Sequence, residues 1–340
     1  INNMATTIKK QLATKQDLAI GFGKVTQERN GEEVELDKID FISAKDVPLA
    51  FATRLTMINN AVNKGASLGS ILSTESALGT GHGGWTYKVT EDTPNGLNKL
   101  DLGSGLTATA CLTGGVMPAG AYGAVLDDVT DDFDALTALH DANLSYTLEG
   151  KTAYCTGTLE PKTGQTIYPN GGGMRKDTSG YLFSADDVVD RFIIAKGGLF
   201  LGENVSDFLN MGGAPGYGNA WTNCEIDIVG KWFNKGIRMS NARRCEIRGR
   251  LSANQGIDYV NKSAECLIDG LNLVQTGAFE GSYGLKTDDE GDGYPEGLVW
   301  SYGLLFNFQK NLILREFFEL NFNSVEFAAS AGTYETAGHQ

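Results

Sequence analysis

The chain has 340 residues, among them 44 glycines and 7 prolines, and its formal net charge is −14 at pH 7. Charged residues make up 21% and aromatic residues 9% of the sequence, which indicates an ordered, turn-rich, β-leaning protein and excludes an intrinsically disordered one. The negative charge argues against nucleic acid and anionic membranes as partners, because both need an excess of Lys and Arg. The sequence opens with no signal peptide, and no run approaches the roughly 20 apolar residues of a membrane span. We therefore expect a soluble protein that is made in a cytoplasm and does not insert into membranes.

The first third of the chain mixes strand and helix signals. Asn30-Gly31 separates two stretches of alternating character, which predicts a β-hairpin. Residues 43–78 carry apolar positions at loosely helical intervals, and from residue 85 to about residue 106 the pattern returns to strands and turns. We predict that residues 1–115 form a small mixed α/β module.

A glycine-rich linker is predicted to end this module, and an acidic segment follows it. Thr130 is predicted to cap a helix whose acidic first turn suits the positive end of the helix dipole. Leu136 and Leu139 give this helix a buried face. We predict that residues 116–150 are a linker and a capping helix, which closes the open end of the fold that follows.

Three equally spaced cysteines predict that fold. Cys224, Cys245 and Cys266 are 21 residues apart, and each begins a short segment in which apolar and polar residues alternate as in a strand. A second set of similar segments, 20 residues apart, gives at least two strands per coil. A period in the low twenties without helix signals predicts a mainly β protein, a right-handed parallel β-helix with coils of about 21 residues. We assign it to residues 151–340, which supply about eight coils, a short column that we expect to be incomplete.

The same register predicts the environment of the side chains. The cysteines are expected to form a column of buried thiols, with metal ligation or redox chemistry as the alternative. Neighbouring coils lie about 4.8 Å apart, so the arginines in this region are expected to pair with acidic residues across the coils. The alternative is a basic patch that binds an acidic sugar. The two outer columns are Asp227, Arg248, Asp269 and Asn223, Arg244, Glu265.

Neither a cofactor nor a metal site is predicted. The five cysteines include no CxxC pair, so they match neither a disulfide framework nor a zinc module. The three histidines are scattered along the chain and lie near no cysteine.

The regular register breaks after Cys266. The next good match to the strand pattern is Leu312-Ile313-Leu314, and 312 − 266 is 46, which is two coils and an excess of 4. Between them runs the acidic segment Asp288–Glu296. A long turn that leaves a rigid coil with carboxylates beside aromatic rings suits carbohydrate binding and cleavage.

The residues around the predicted linker and helix resemble a known family. Tyr122-Gly123-Ala124-Val125, then Asp128-Val129-Thr130-Asp131-Asp132 and the helix from Ala135, resemble the opening of pectate-lyase-like β-helices in bacteriophage tailspikes. The chain departs from that opening at Leu126-Asp127, where Gly-Asp is usual. The resemblance extends over about residues 80–270. It implies a homotrimeric tailspike or tail fibre that docks on phage tail, baseplate or adaptor proteins through its N-terminal region and binds host capsule or lipopolysaccharide.

The acidic turn is the predicted site. Asp289 and Glu296 are predicted to act as acid and base, because a seven-residue separation across a Gly and Pro turn can bring two carboxyls to one groove. Asp292, Tyr294 and Trp300 are predicted to bind the substrate, the two aromatic rings by stacking on sugar faces. The alternatives are a solvated acidic loop and a calcium loop, although the position of the bidentate Glu in a calcium loop is not matched.

Two functions fit these features. In the first, the chain is a subunit of the virion tail that acts outside the cell and degrades the host polysaccharide, as a glycoside hydrolase or lyase. In the second, it is a non-enzymatic adhesion and assembly component of the phage tail.

Overall fold

A computed structural model of the chain describes residues 26–29, 32–35, 49–76, 84–111, 116–212, 221–275, 280–288, 294–315, 317–328 and 335–336. Strands dominate these residues, and they form a small N-terminal part and a long parallel ladder. None of the helices in these ranges is both long enough and apolar enough to cross a membrane.

The N-terminal part contains a hairpin, and a five-stranded sheet with one helix. The elements are β1 (Thr26–Arg29), β2 (Glu32–Glu35), β3 (Leu49–Thr53), α1 (Arg54–Asn60), β4 (Ile71–Ser76), β5 (Thr86–Thr90), β6 (Lys99–Gly103) and β7 (Leu106–Ala110). β1 and β2 pair antiparallel on either side of Asn30-Gly31, which confirms the predicted hairpin. In the sheet, β3 and β4 are parallel and the other pairs are antiparallel. Thr53 caps α1, because its hydroxyl accepts a hydrogen bond from the Thr56 backbone N–H at 3.1 Å.

The remaining strands pair in parallel: twenty of them form one long ladder, and three two-residue strands (Val189–Asp190, Trp221–Thr222 and Ala242–Arg243) form a separate three-stranded sheet. In chain order they are β8 (Val116–Pro118), β9 (Asp127–Asp131), β10 (Ser145–Thr147), β11 (Thr152–Tyr154), β12 (Thr166–Tyr168), β13 (Gly173–Arg175), β14 (Tyr181–Ala185), β15 (Val189–Asp190), β16 (Ile193–Ile194), β17 (Leu199–Leu201), β18 (Asp207–Met211), β19 (Trp221–Thr222), β20 (Glu225–Ser240), β21 (Ala242–Arg243), β22 (Glu246–Val260), β23 (Leu267–Val274), β24 (Tyr283–Asp288), β25 (Glu296–Ser301), β26 (Leu304–Phe306), β27 (Lys310–Leu314), β28 (Phe318–Asn323), β29 (Glu326–Ala328) and β30 (Glu335–Thr336). A 3-10 helix (Ala119–Tyr122) and α2 (Phe133–Asp141) lie between the first of these strands.

Each coil passes through three faces of the ladder. The first face contains β8, β10, β12, β16, the beginnings of β20, β22 and β23, then β25 and β28. The second contains β9, β11, β13, β17, the later parts of the same three long segments, β26 and β29. The third contains β14, β18, the ends of β20 and β22, β24, β27 and β30. All these pairings are parallel, which confirms the predicted parallel β-helix.

One column of inward side chains runs through the first face. Its members are stacked in register as Met117, Tyr146, Ile167, Ile194, Ile226, Ile247, Ile268, Trp300 and Phe322. We call this set the central column. Every member except the half-buried Phe322 is at most 2% exposed. The predicted stacking of Ile226, Ile247 and Ile268 is therefore confirmed.

Aromatic rings fill the interior of the middle coils. The ring centroid of Phe183 lies 6.1 Å from that of Phe200 and 6.0 Å from that of Phe208, and the centroids of Phe208 and Phe233 are 5.1 Å apart. All four rings are fully buried. Tilted and edge-on contacts of this kind add to the stabilisation from burial.

The predicted continuation of the register after Cys266 is wrong. Leu298 and not Leu312 follows Cys266 on the first face, because Ile268 pairs with Trp300. Leu312 lies on the third face, in register with Leu285. The residue number rises by 300 − 268 = 32 over this step of the first face, against 268 − 247 = 21 over the preceding step. The coil between Ile268 and Trp300 is therefore longer than the one before it, and we call it the long coil.

The three spaced cysteines are buried, as predicted. Cys224, Cys245 and Cys266 are free thiols with at most 1% exposure. Each thiol donates to a backbone carbonyl two positions earlier in the chain, at 3.3 to 3.4 Å. Within the described ranges, no three His, Cys, Asp or Glu side chains are placed to hold a metal ion together.

The ladder begins earlier than the sequence predicts. β8 starts at Val116 and pairs with β10, so strands of the first face already lie within the segment 116–150 that was predicted as linker and cap. Leu136 and Leu139 are fully buried, which confirms the buried face of α2. The predicted cap at Thr130 is wrong, because Thr130 belongs to β9 and Asp132 occupies the N-cap position.

Candidate functional site

The predicted site lies in the long coil, between the end of β24 and the start of β25. Asp289 and Asp292 are outside the described residues, so their predicted roles remain predictions. Tyr294, Glu296 and Trp300 are described, and the structure separates them into two environments.

Glu296 begins β25 and is held by its backbone. Its carbonyl oxygen accepts a hydrogen bond from the Tyr259 hydroxyl at 2.6 Å, and its N–H donates to the Ser263 carbonyl at 2.8 Å. The side chain is exposed, and it stacks in register with Phe318 of the next coil. Tyr294, two positions earlier, is 60% exposed. These two predicted residues therefore lie close together on the surface of one rigid coil.

The predicted role of Trp300 as a stacking surface for sugar is wrong. Its side chain is 0% exposed, since Trp300 occupies the central column between Ile268 and Phe322. The ring centroids of Trp300 and Phe322 are 6.3 Å apart. The alternation of strand residues turns Trp300 inwards, and sequence reasoning missed this because it placed the next coil at Leu312.

Three further residues complete this surface: Asp288, which begins the predicted acidic segment, and Arg315 and Phe318, which were not predicted from the sequence as parts of it. Asp288, at the end of β24, forms ion pairs with Lys286 at 3.2 Å and with Arg315 at 3.7 Å. Phe318 is 70% exposed, and its N–H donates to the Pro295 carbonyl at 2.8 Å. We call Asp288, Tyr294, Glu296, Arg315 and Phe318 the β25 rim. Aromatic rings beside charged groups are the kind of surface that binds the apolar and polar sides of a sugar.

A second surface, which the sequence analysis missed, is a cleft of about 550 Å³ at the corner between the third and first faces. Four carboxylates line it: Asp141, Glu160, Asp186 and Asp187. We call it the acidic cleft. Asp141 is the last residue of α2, and the other three lie on the turns of the next two coils, so residues distant in sequence meet there. The signal in the sequence was the Asp186-Asp187 pair directly after a strand.

The charges of the acidic cleft are only partly balanced. Lys162 forms an ion pair with Glu160 at 3.1 Å. Asp141, Asp186 and Asp187 are exposed and have no ion-pair partner among the residues that the structure describes. The cleft therefore offers free carboxylates within a volume typical of small-ligand sites, which lie between about 300 and 1,000 Å³.

His140 lies next to this cleft but is not exposed to it. Its Nδ1 donates to the Glu160 carbonyl at 2.9 Å, because a carbonyl can only accept, and its Nε2 accepts from the Tyr146 hydroxyl at 3.0 Å. Burial lowers the pKa of His140 to about 4, so the ring is neutral at physiological pH. It supports the turn that carries Glu160 and does not face a ligand.

Two arginines of the middle coils, Arg244 and Arg248, pair across the coils as predicted. Arg244 forms an ion pair with Glu265 at 2.6 Å, and this contact lowers the pKa of Glu265. Arg248 stacks between Asp227 and Asp269 and forms ion pairs with Asp269, at 3.5 Å, and with Glu246. For these two arginines the charge ladder is the correct interpretation.

Comparisons with known proteins find similarity in structure and not in sequence. No protein-family model matches the chain, and no curated protein matches it. Among solved structures, the Pantoea stewartii enzyme WceF, described as a glycan biofilm modifying enzyme with a bacteriophage tailspike-like parallel β-helix fold, is similar over 86% of this chain and 50% of its own, with a TM-score of 0.52 and 12% identity.

Two phage tailspikes are also similar to the chain. The tailspike gp49 of Acinetobacter baumannii bacteriophage Fri1, a capsular polysaccharide depolymerase, matches 76% of this chain and 53% of its own, at a TM-score of 0.39 and 12% identity. The enzymatically active domain of tailspike protein 4 from bacteriophage CBA120 matches 98% of this chain and 52% of its own, at a TM-score of 0.45 and 10% identity.

The similarity to WceF and the parallel strand pairings define the class of the fold. The chain has a tailspike-like parallel β-helix, as the resemblance at its predicted linker implied. It spans about half the length of the proteins to which it is similar.

Proposed function

We propose that this chain is a bacteriophage tailspike or tail-fibre subunit that binds a host surface polysaccharide, capsule or lipopolysaccharide, and cleaves it. Residues 1–115 attach it to the virion tail, and it works as a homotrimer. The acidic cleft is the observation that carries the proposal, since it places free carboxylates on a rigid ladder of the tailspike-like fold. The description of WceF as a glycan biofilm modifying enzyme supports the same class of substrate.

Paired carboxylates provide the chemistry that such a cleavage needs. In glycoside hydrolysis one carboxyl protonates the leaving oxygen, and a second carboxylate activates water or attacks the anomeric carbon. Asp186 and Asp187, which have no described ion-pair partner, are suited to the carboxylate role, and Asp141 faces the same cleft. The β25 rim is the alternative place for cleavage, with Asp289 and Glu296 as acid and base.

A non-enzymatic adhesion role is the second candidate. It is favoured by the ion pairs of Asp288 with Lys286 and Arg315 and of Glu160 with Lys162, because a carboxylate that is already paired with a cation is less available to act as an acid or a base. On this alternative the acidic cleft and the β25 rim only bind the polysaccharide.

The test is oligosaccharide release from a panel of bacterial capsules and O-antigens by the purified protein. We compare the wild type with an Asp186→Asn, Asp187→Asn double variant and an Asp289→Asn, Glu296→Gln double variant. The control is Glu91→Gln, because Glu91 is an exposed carboxylate of the N-terminal part, outside both surfaces. Loss of release in the first double variant assigns cleavage to the acidic cleft, and loss in the second assigns it to the β25 rim. Binding without release supports adhesion, and neither binding nor release across the panel contradicts the proposal.

A further inference from the structure

A β-bulge in β20 turns a tryptophan outwards. β20 and β22 pair in register up to Gly230 and Leu251, and the pairing resumes at Phe233 and Ala253. Two residues of β20, Lys231 and Trp232, therefore oppose one residue of β22. Phe233 returns to the interior at 0% exposure, while Trp232 is 41% exposed. Bulges recur beside functional sites because they re-aim a side chain.

The backbone of Trp232 is in an unusual conformation for its side chain. Its φ is 61°, in the left-handed region, and the other described non-glycine residues with positive φ include seven asparagines. Asparagine suits that region because its short side chain bonds to the nearby backbone, whereas an indole gains nothing comparable. Trp221 and Trp300, by contrast, are fully buried in the β-helix. Other bulky residues, among them Tyr302, also have a positive φ, so the exposed indole points to a contact residue only together with the cations beside it.

Two exposed cations lie beside Trp232. Lys231 is exposed, and Arg250 is exposed and in register with Val229, two positions before Lys231 on the same outward side. Neither cation has an ion-pair partner among the described residues, unlike Arg244 and Arg248 in the ladder. Two acidic side chains lie close by. Glu203 is on the preceding coil, where its neighbour Asn204 donates its N–H to the Trp232 carbonyl. Asp207 is mostly buried, and its carboxylate accepts hydrogen bonds from the Asn234 amide and the Lys235 N–H, both at 3.1 Å.

We propose that Trp232, Lys231 and Arg250 form a contact site for an acidic sugar residue. The C–H face of a pyranose ring stacks on the indole, and the sugar carboxylate is bound by the two cations. The site lies at the corner between the second and third faces, away from the acidic cleft, whose net negative charge disfavours an anionic residue. The inference rests on the proposed function for the statement that the ligand is a glycan, and it adds the chemical class of one of its residues.

The experiment is a binding titration with a galacturonic acid trimer as the acidic probe and maltotriose as the neutral probe. Trp232 is the most exposed of the three tryptophans in the β-helix, so intrinsic fluorescence reports on its environment. Calorimetry gives the affinity of the variant that lacks this ring. The variants are Trp232→Ala and a Lys231→Gln, Arg250→Gln double variant. Tyr302→Ala is the matched control, because Tyr302 is an exposed aromatic residue, at 66%, whose φ is also in the left-handed region, at 51°.

We expect the acidic trimer to quench the fluorescence and to bind at least tenfold more weakly to both variants, while Tyr302→Ala retains the wild-type affinity. The affinity should fall with rising salt, and maltotriose should bind more weakly than the acidic trimer. Equal affinity of Trp232→Ala and wild type, or no binding of the acidic trimer to the wild type, overturns the inference. A change of oligomeric state in Trp232→Ala by sedimentation, with the affinity unchanged, also overturns it and makes this surface a contact between copies of the chain instead.

The outcome separates this inference from the proposed function. A wild type that releases oligosaccharide from a bacterial polysaccharide, but whose affinity for the acidic trimer does not depend on Trp232, contradicts only the inference. A wild type that neither binds nor cleaves any polysaccharide of the panel contradicts the proposed function.

Discussion

Adjacent residues of one strand have opposite environments in this protein. Ile247 is fully buried in the central column, and Arg248, the next residue, is on the outside between Asp227 and Asp269. We expect Ile247→Asp to lower the free energy of unfolding by roughly 4 kcal/mol or more, because it buries a charge without a partner. Arg248→Ala should lower it by about 1 kcal/mol or less, since its ion pairs are exposed to solvent.

Denaturant titrations of the two variants and the wild type measure this difference. Ile247→Val is the control for a change of size without a change of polarity, and it should cost only about 1 kcal/mol. Similar losses for Ile247→Asp and Arg248→Ala would contradict the register.

The sequence predicted single residues well where the period is unbroken and poorly where it changes. The columns through Ile247 and Arg248 follow from the constant spacing of the cysteine-led segments and the alternation of a strand. Trp300 belongs to the same column as Ile247, but the long coil before it hid the relation and made it look like a surface residue. Trp232 was missed for another reason: a bulge reverses the alternation locally, and no residue type marks it.

At the scale of elements, α2 carries two buried groups whose titrations oppose each other. Asp132 at its N-cap accepts the Val125 N–H at 2.5 Å and the Leu126 N–H at 3.1 Å, and burial raises its pKa to about 6. His140 in the last turn has its pKa lowered by burial to about 4. Because the folded state raises the pKa of Asp132 from 3.8 to about 6, the free energy of unfolding falls as the pH rises from 3.8 through about 6. Because the folded state lowers the pKa of His140 from 6.5 to about 4, the free energy of unfolding falls as the pH falls from 6.5 towards about 4.

We therefore expect the two groups to offset each other in the wild type between pH 6.5 and 4. On acidification, Asp132→Asn should lose roughly 2 kcal/mol more stability than the wild type, because only the His140 effect remains. His140→Gln should lose less than the wild type over the same range, whatever its absolute stability. Thermal melts at pH 4.5, 5.5 and 6.5 measure these slopes. Parallel pH profiles for all three proteins would contradict the assignment.

Elements with a local signal were predictable, and elements defined by distant pairing were not. The hairpin around Asn30-Gly31 and the buried face of α2 depend on neighbouring residues, and both predictions are confirmed. β8 is a short strand, and its partner β10 lies beyond a 3-10 helix and α2, so no periodicity connects them. The acidic cleft could not be predicted for the same reason, because α2 and turns of later coils, which are distant in sequence, form it together.

At the scale of the whole molecule, the N-terminal sheet contacts the beginning of the ladder. The guanidinium of Arg54 in α1 is buried and donates to the carbonyl oxygens of Gly120, at 3.4 Å, and Leu97. Gly120 belongs to the 3-10 helix, all of whose residues are buried. The N-terminal part thus covers the first coil as well as being the proposed attachment region.

A variant that lacks residues 1–115 should lose incorporation into virions but keep its β-rich circular dichroism and its oligomeric state. Its melting temperature should fall, because the contacts of Arg54 and the cover over the 3-10 helix are lost. Arg54→Ala in the full chain is the comparison, since it should lower the melting temperature without preventing incorporation. A truncated protein that still joins tails in an assembly assay would contradict residues 1–115 as the attachment region.

The unequal coils have a consequence for the length of the ladder along its axis. The step from Ile268 to Trp300 uses more chain than the step from Ile226 to Ile247, yet each is a single step of one ladder. Parallel strands lie about 4.8 Å apart however much chain connects them. The length of the ladder along its axis therefore depends on the number of coils and not on the number of residues. An inserted segment changes only the cross-section of the coil that carries it. If the chain acts as proposed, its receptor specificity can be altered by exchanging turns while the distance between virion and bacterial surface stays constant.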